Sequence, residues 1–382
     1  MRPLVLLVGA VVLVDTMFYA AITPLLPELR DELGLGKGGA GVLAAAYAAG
    51  TFAGALPGGW IAARLGVRVA VLSGLALMGV AGLAFAFGHS VVLLDGARFL
   101  QGVGGACSWS GGLAWLAAAA PRERRGEVLG TALGAAIVGG QLGPVVGAVA
   151  HAVGRQAAFS TTAVLGIALA VWAARTPAAP GGAPSAGLRE AIRDRRLAAG
   201  LWLTALPSAA FGVVAVLAPL RLDALGAGAL AIGATFFVAA GGEALVNPAV
   251  GRLTDRRGVR VVALPGLLAA AALLVVVPLP ERVLPAAVAV VAATCVLGVL
   301  WVPSMALIAS GADAVGLDQG FAAAGFSLAW AAGYTAGAAG GGALAGAASD
   351  AAPFAVVAAA ALATAAAAWV ASRRAGPLRS PG

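Results

Sequence analysis

The chain has 382 residues, of which 24 are Lys or Arg and 16 are Asp or Glu. Charged residues make up 10% of it, against about 25% in an ordinary soluble domain, while 61% are hydrophobic and the mean hydropathy is +0.97. Charge this sparse cannot cover a soluble surface and apolar content this high is not that of a disordered chain. A polytopic membrane protein remains, with room for about twelve spans of ~20 residues each.

In chain order, apolar runs predict helices over about 4–26, 41–62, 69–88, 91–119, 127–150, 157–175, 198–220, 229–250, 261–279, 284–309, 321–345 and 353–372. Barrel strands would instead alternate polar and apolar residues over about ten positions. The first run begins with Arg2, as a signal peptide would, but Asp15 interrupts it and no clean cleavage site follows, so it is expected to stay as the first helix. Placing the N-terminus in the cytoplasm puts eighteen basic residues in cytoplasmic segments, against Arg30, Lys37, Arg155, Arg221 and Arg282 on the other side. That bias predicts twelve spans with both termini cytoplasmic, in an inner or plasma membrane.

The longest interruption, 176–197, opens as TPAAPGGAPSAG, a flexible linker. It continues as LREAIRDRRL, a basic amphipathic stretch suited either to an anionic membrane surface or to plain solvent. The linker separates 1–175 from 198–382, six predicted helices on each side. The sides echo each other. Gly59-Trp-Ile-Ala-Ala-Arg64-Leu-Gly66-Val-Arg68 follows the second helix, and Gly251-Arg-Leu-Thr-Asp255-Arg256-Arg-Gly258-Val-Arg260 follows the eighth, 192 residues later. Gly139, Gly143 and Gly147 in the fifth helix are echoed by Gly333, Gly337 and Gly341 in the eleventh. Such repeats mark secondary transporters, whose substrate site lies between two related halves.

The loop at 251–260 resembles the G-x-x-x-D-R/K-x-G-R/K signature of the major facilitator superfamily, and the resemblance extends over nearly the whole chain. It implies an all-α membrane protein of twelve helices in two pseudo-symmetric six-helix bundles. It also implies that these loops act as conformational latches, with Asp255 pairing with a nearby Arg or capping the next helix. The first copy has Ala63 in place of the acid. The fourth helix, Leu94-Asp95-Gly-Ala-Arg98-Phe-Leu-Gln101-Gly102, resembles the family's R-x-x-x-G motif, which implies proton coupling through Arg98; the alternative is a structural Arg98–Asp95 pair. The fifth helix, with Gly130, Gly139, Gly143, Pro144 and Gly147, resembles the antiporter motif G-x8-G-x3-G-P-x2-G-G except for Ala148 at its end. It implies export, with glycines forming a packing face and Pro144 a kink.

Asp15, in a first helix resembling that of twelve-span drug:proton antiporters, falls near the bilayer centre. A carboxyl there pays for its charge in desolvation, so a proton and a cationic substrate can compete for it; a structural pair with Arg98 is the alternative. Glu243 is a second acid inside the membrane, suited to proton or substrate handling or else to the Asp255 loop. Tyr19, Gln101, Trp109, Asn247, Trp301 and Tyr334 are candidates to line a cavity. Cys107 and Cys295 sit in apolar runs, His89 and His151 in short outer loops. No metal-ligand spacing, phosphate-binding G-x-x-x-x-G-K-[ST] or catalytic cluster occurs, so neither metal, cofactor nor nucleic acid is expected.

Together these features predict proton-coupled efflux of small organic, drug-like molecules by a monomer. Uptake or facilitated passage of a sugar or other metabolite is the alternative on the same fold, although intramembrane amides are few. An enzyme or sensor would need a soluble domain, for which no loop has room.

Overall fold

The computed structural model describes residues 1–121, 124–177, 194–317 and 319–374. All regular elements among them are helical. Without water to pair with backbone N–H and C=O groups, an apolar chain spans lipid by satisfying them within each helix. The elements are α1 (Arg2–Ala20), a 3₁₀ turn (Thr23–Leu25), α2 (Leu26–Glu32), α3 (Lys37–Arg64), α4 (Val67–Phe87), α5 (Val91–Ala119), α6 (Arg125–Val153) and α7 (Arg155–Arg175). Then follow α8 (Arg195–Ala224), α9 (Ala229–Arg257), α10 (Val259–Val276), α11 (Val283–Val299), α12 (Trp301–Ala314), α13 (Gln319–Thr335), a π turn (Ala336–Gly340), α14 (Gly341–Ala347) and α15 (Ala351–Arg374).

Among the described residues, 10 helical stretches are long and apolar enough to cross a membrane. Beyond those ten, α5 carries Asp95 and Arg98, and the stretch α13–α14 is interrupted by its π turn. Large side chains on the outer surface are apolar and bare: Val92 and Leu245 are each 83% exposed, as suits contact with lipid.

Two boundaries differ from the sequence expectation. The first run does not continue straight to 26 but breaks after Ala20, where Pro24 removes a backbone donor, and resumes as α2. The run at 284–309 divides into α11 and α12 at Leu300. Residues 178–193 of the expected linker, including the first part of its amphipathic stretch, lie outside the described residues. Where the chain resumes, the Asp194 carboxylate caps α8 by accepting from the amides of Arg196 and Leu197, both at 2.9 Å.

Glycine seams decide which helices touch. Gly139, Gly143 and Gly147 of α6 lie against Leu13 and Met17 of α1 and Ala21 just beyond its end, with no room for a methyl group. In the second part of the chain Gly333 of α13 and Gly337 of the π turn lie in the same manner against Ala205 and Ala209 of α8. The α3–α5 seam was not anticipated: Gly50 meets Phe99, Gly102 meets Tyr47 and Gly54 meets Val103. Positive-φ glycines at 34 and 226, and again at 66 and 258, stand 192 residues apart, the spacing of the sequence echo.

Contacts between residues before and after the linker include the Pro144 carbonyl beside Gly233, an Arg30–Asp223 ion pair at 3.5 Å, and a pair between Lys37 and Asp350. Lys37 is the only lysine in the chain.

Gly130 differs from its partners in the motif, since nothing lies within 4 Å of a Cβ built on it. Gly143→Val is therefore expected to cost about 1–3 kcal/mol through overpacking and to lower the thermal midpoint measured by tryptophan fluorescence, whereas Gly130→Ala leaves it unchanged or slightly higher. Equal effects at the two positions would contradict this assignment of the seam.

Candidate functional site

Asp15 lies on the inward face of α1 and is fully buried. Its Oδ2 accepts two hydrogen bonds, from Tyr47 Oη at 2.7 Å and from Trp109 Nε1 at 2.8 Å. Its Oδ1 is buried with no partner. Gly105 of α5 forms the floor of this seat: a methyl there would lie 2.7 Å from Oδ1 and 2.9 Å from the Tyr47 hydroxyl. Tyr47 and Gly105 were not singled out in the sequence. They carry no motif signature, and only the α3–α5 seam brings them to Asp15.

Arg98 is also fully buried. Its Nη1 donates to the Phe18 carbonyl at 3.2 Å and to Gln101 Oε1 at 2.8 Å, and its Nη2 donates to the Tyr19 carbonyl at 2.9 Å. The last carbonyls of a helix lack partners within it, and α1 ends at Ala20. Arg98 thus serves as a C-terminal cap for α1 within the membrane, with its charge at the favourable end of the helix dipole. The guanidinium also sits 5.2 Å from the centroid of the Tyr47 ring. Tyr47 therefore stands between Arg98 and Asp15.

Neither structural pair considered from the sequence is formed. Arg98 makes no ion pair with Asp15 or Asp95 among the described residues, because its side chain reaches across to α1 rather than along α5. Asp95 keeps a buried Oδ1 without a partner.

From this cluster an aromatic bridge crosses to the second part of the chain. The Tyr19 ring lies 4.6 Å from Tyr47, 5.6 Å from Trp330 and 5.8 Å from Tyr334, centroid to centroid. Trp330 and Tyr334 stack at 5.6 Å on successive turns of α13.

Glu243 occupies a second seat. A methyl on Gly298 would lie 2.8 Å from its Oε2, and the carboxyl faces Trp301 and Asn247. It thus points toward α11 and α12 and not toward the Asp255 loop. Trp301 stacks on Phe211 at 5.5 Å and 14°, and meets Phe326 edge-on at 5.9 Å. Asn247 leaves its Oδ1 buried without a partner. Trp109 and Trp301 are 192 residues apart, the spacing of the loop echo, a correspondence that the loop and glycine repeats alone do not reveal.

The latch loops share one local feature. Gly66 (φ 102°) and Gly258 (φ 83°) precede α4 and α10 and take a conformation that a side chain would strain. Gly59 and Gly251 face open space. Arg64, Arg256 and Arg260 are exposed, and Arg68 donates to the Thr176 carbonyl. Asp255 departs from expectation: it is exposed, forms no ion pair among the described residues, and does not cap α10, whose N-cap is Gly258 without a side-chain bond. Because α9 runs on to Arg257, Asp255 lies in its last turn, on the wrong side of the break to reach the next N-terminus.

A family model described as Major Facilitator Superfamily matches residues 8–333. The chain is 30% identical to the "Chloramphenicol resistance protein" of Streptomyces lividans over 280 residues, 69% of each chain. It is 35% identical to the "MFS-type transporter ppzB" of Metarhizium rileyi (strain RCEF 4871) over 123 residues, which are 31% of this chain and 25% of that one. Among solved structures it resembles a D-xylose-proton symporter, with a TM-score of 0.75 at 16% identity over 95% of this chain and 97% of that one. It also resembles a bacterial homologue of the human lysosomal transporter Spinster in an inward-facing, unoccupied conformation, with a TM-score of 0.71 at 14% identity over 95% and 93%. At these identities the structural likeness is one of fold.

Arg98→Lys keeps the charge but loses the planar fork that serves three acceptors. It is expected to destabilise the protein by about 1–3 kcal/mol through unpaired buried groups, read as a lowered unfolding midpoint in detergent. An unchanged midpoint would rule out the capping role.

Proposed function

The chain belongs to the Major Facilitator Superfamily, and from that premise we propose that it is a proton-coupled exporter of small, drug-like organic molecules. The observation that carries this reading is Asp15. It is a fully buried carboxyl, held on one oxygen by Tyr47 and Trp109, with the other oxygen free to take a proton or a ligand. In this reading twelve helices form two bundles, 1–175 and 198–382, joined by the linker 176–197, in a monomer whose termini both face the cytoplasm. The two bundles rock about the aromatic bridge, so that the site meets one side of the membrane at a time. Protons entering down their gradient occupy Asp15, with Glu243 as the second exchangeable acid, and drive the substrate out.

The partial likeness to a chloramphenicol resistance protein supports export, as does the fit of Gly139, Gly143 and Gly147 to α1. Uptake of a metabolite on the same fold has less support. Of the intramembrane amides, Gln101 is committed to Arg98, which leaves few groups for a sugar's hydroxyls.

Two experiments test this. In vesicles, Asp15→Asn is expected to reduce substrate movement driven by a pH gradient by at least about tenfold, the scale of losing an interaction with a charged group; wild-type rates in that variant would refute coupling through Asp15. For alternating access, Gly38 and Ala343 are close enough for a disulfide, 3.6 Å separating a Cβ built on Gly38 from the Ala343 Cα. With Cys107 and Cys295 replaced, Gly38→Cys with Ala343→Cys is expected to halt transport on oxidation and restore it on reduction. Undiminished transport by the cross-linked protein would exclude rocking at this contact.

A further inference from the structure

The last arginines of the two latch loops, Arg68 and Arg260, stand 192 residues apart in the sequence and meet different surroundings. Arg260 is exposed and bonds to nothing among the described residues. Arg68, partly buried at the start of α4, donates from Nη2 to the Thr176 carbonyl. One residue further on, the Pro177 carbonyl accepts from Trp115 Nε1 at 3.2 Å. Trp115 lies near the end of α5 and is fully buried. An indole N–H can only donate, and a buried donor left unpaired is costly.

The sequence prepares both acceptors. Proline at 177 has no N–H with which to continue α7, and it holds the residue before it in extended backbone. Accordingly α7 ends at Arg175, and Thr176 is extended, with φ −83° and ψ 134°. Two successive carbonyls thereby turn out of the helix, one to α4 and one to α5. Thr176 stays on α7 at the same time: its amide donates to the Ala173 carbonyl at 3.2 Å, and its Oγ1 to the Trp172 carbonyl at 2.9 Å. These two residues are the first of the expected linker. At its far end Asp194 caps α8, and a methyl on Gly311 of α12 would lie 2.8 Å from the capping oxygen. The second part of the chain lacks the matching donor, since at the echo spacing Leu307 stands in place of Trp115.

We propose that Arg68 and Trp115 are positioning residues that anchor the linker, and that the first loop, with Ala63 in place of the acid, serves in this chain as the docking point for residues 176–177. The linker then leaves the first part of the chain from a fixed place at the joined ends of α4, α5 and α7, and its first residues move with that part as one body. The arginine that the latch pattern supplies here is committed to a backbone carbonyl. The two loops thus divide the work, and only the second keeps an arginine free for a partner that changes as the parts move. This role depends on neither the direction of transport nor proton coupling, so failure of the export reading leaves it standing.

The test is hydrogen exchange at the Thr176 amide, read by mass spectrometry on the purified full-length protein, since that bonded amide exchanges only when the segment opens. Arg68→Ala is expected to speed exchange there about tenfold or more, the scale of losing a hydrogen bond from a charged group, and Arg68→Lys to recover part of the loss. Trp115→Phe keeps the ring and loses the N–H, and is expected to speed exchange several-fold. Arg260→Ala is expected to leave it unchanged, and exchange within α1 is expected to be equal in all four variants. Wild-type exchange at Thr176 in either Arg68→Ala or Trp115→Phe would overturn the anchor, as would an equal rise in Arg260→Ala. Should Arg68→Ala prevent folding, Trp115→Phe decides alone: faster exchange confined to 172–176 supports the anchor, and wild-type exchange refutes it.

Discussion

The site depends on an arginine buried where no water can reach it. Arg98 must find acceptors within the protein, and both its Nη groups do so, on the carbonyls that α1 leaves open at Phe18 and Tyr19 and on Gln101, while its Nε stays unpartnered. One interaction thus resolves two costs, a buried cation and a helix end in lipid. It fixes the end of α1 against α5, which sets Asp15 at the depth of Trp109 and lets Tyr47 fit between cation and acid.

That arrangement needs backbones to approach closely, and the glycine seams permit it. α3 reaches α5 because Gly50, Gly54 and Gly102 hold no side chains between them, and Tyr47 arrives at Asp15 as a consequence. α6 closes on the other side of α1 in the same way. In lipid no hydrophobic force draws apolar helices together, so close contact and buried polar bonds supply the association energy. The residues that build the fold and those that build the site are consequently neighbours on the same helices.

The two ends of the aromatic bridge hold the two buried carboxyls, Asp15 and Glu243, in different surroundings. Around Asp15, the second carboxyl oxygen and the Arg98 Nε are buried without partners; beside Glu243, which faces Trp301 and Asn247, the Asn247 Oδ1 is. Tyr19, Trp330 and Tyr334 connect these environments across the join between the parts of the chain, at ring separations of 5.6–5.8 Å.

Much of this was legible in the sequence. Of the twelve apolar stretches expected, ten are found long and apolar enough to span among the described residues; these, the acids at 15 and 243, the arginine at 98 and the glycine face of α6 follow from residue type and spacing, because lipid penalises charge and unpaired backbone strongly enough to leave a mark in the linear pattern. Which polar groups meet was not legible. The sequence offers Asp95 and Asp15 as partners for Arg98, and the structure chooses carbonyl oxygens, which no side-chain pattern records. It offers Asp255 as a helix cap, and the length of α9 turns it outward to solvent. Tyr47, Gly105 and Gly298 gain their roles from helices far apart in the chain, brought together by seams whose register is set by packing alone. Composition and period therefore determined that this is a membrane-spanning transporter fold and which charges it keeps; only tertiary contact decided how each charge is held, since pairing in lipid is a matter of a few ångströms between helices and not of order along one.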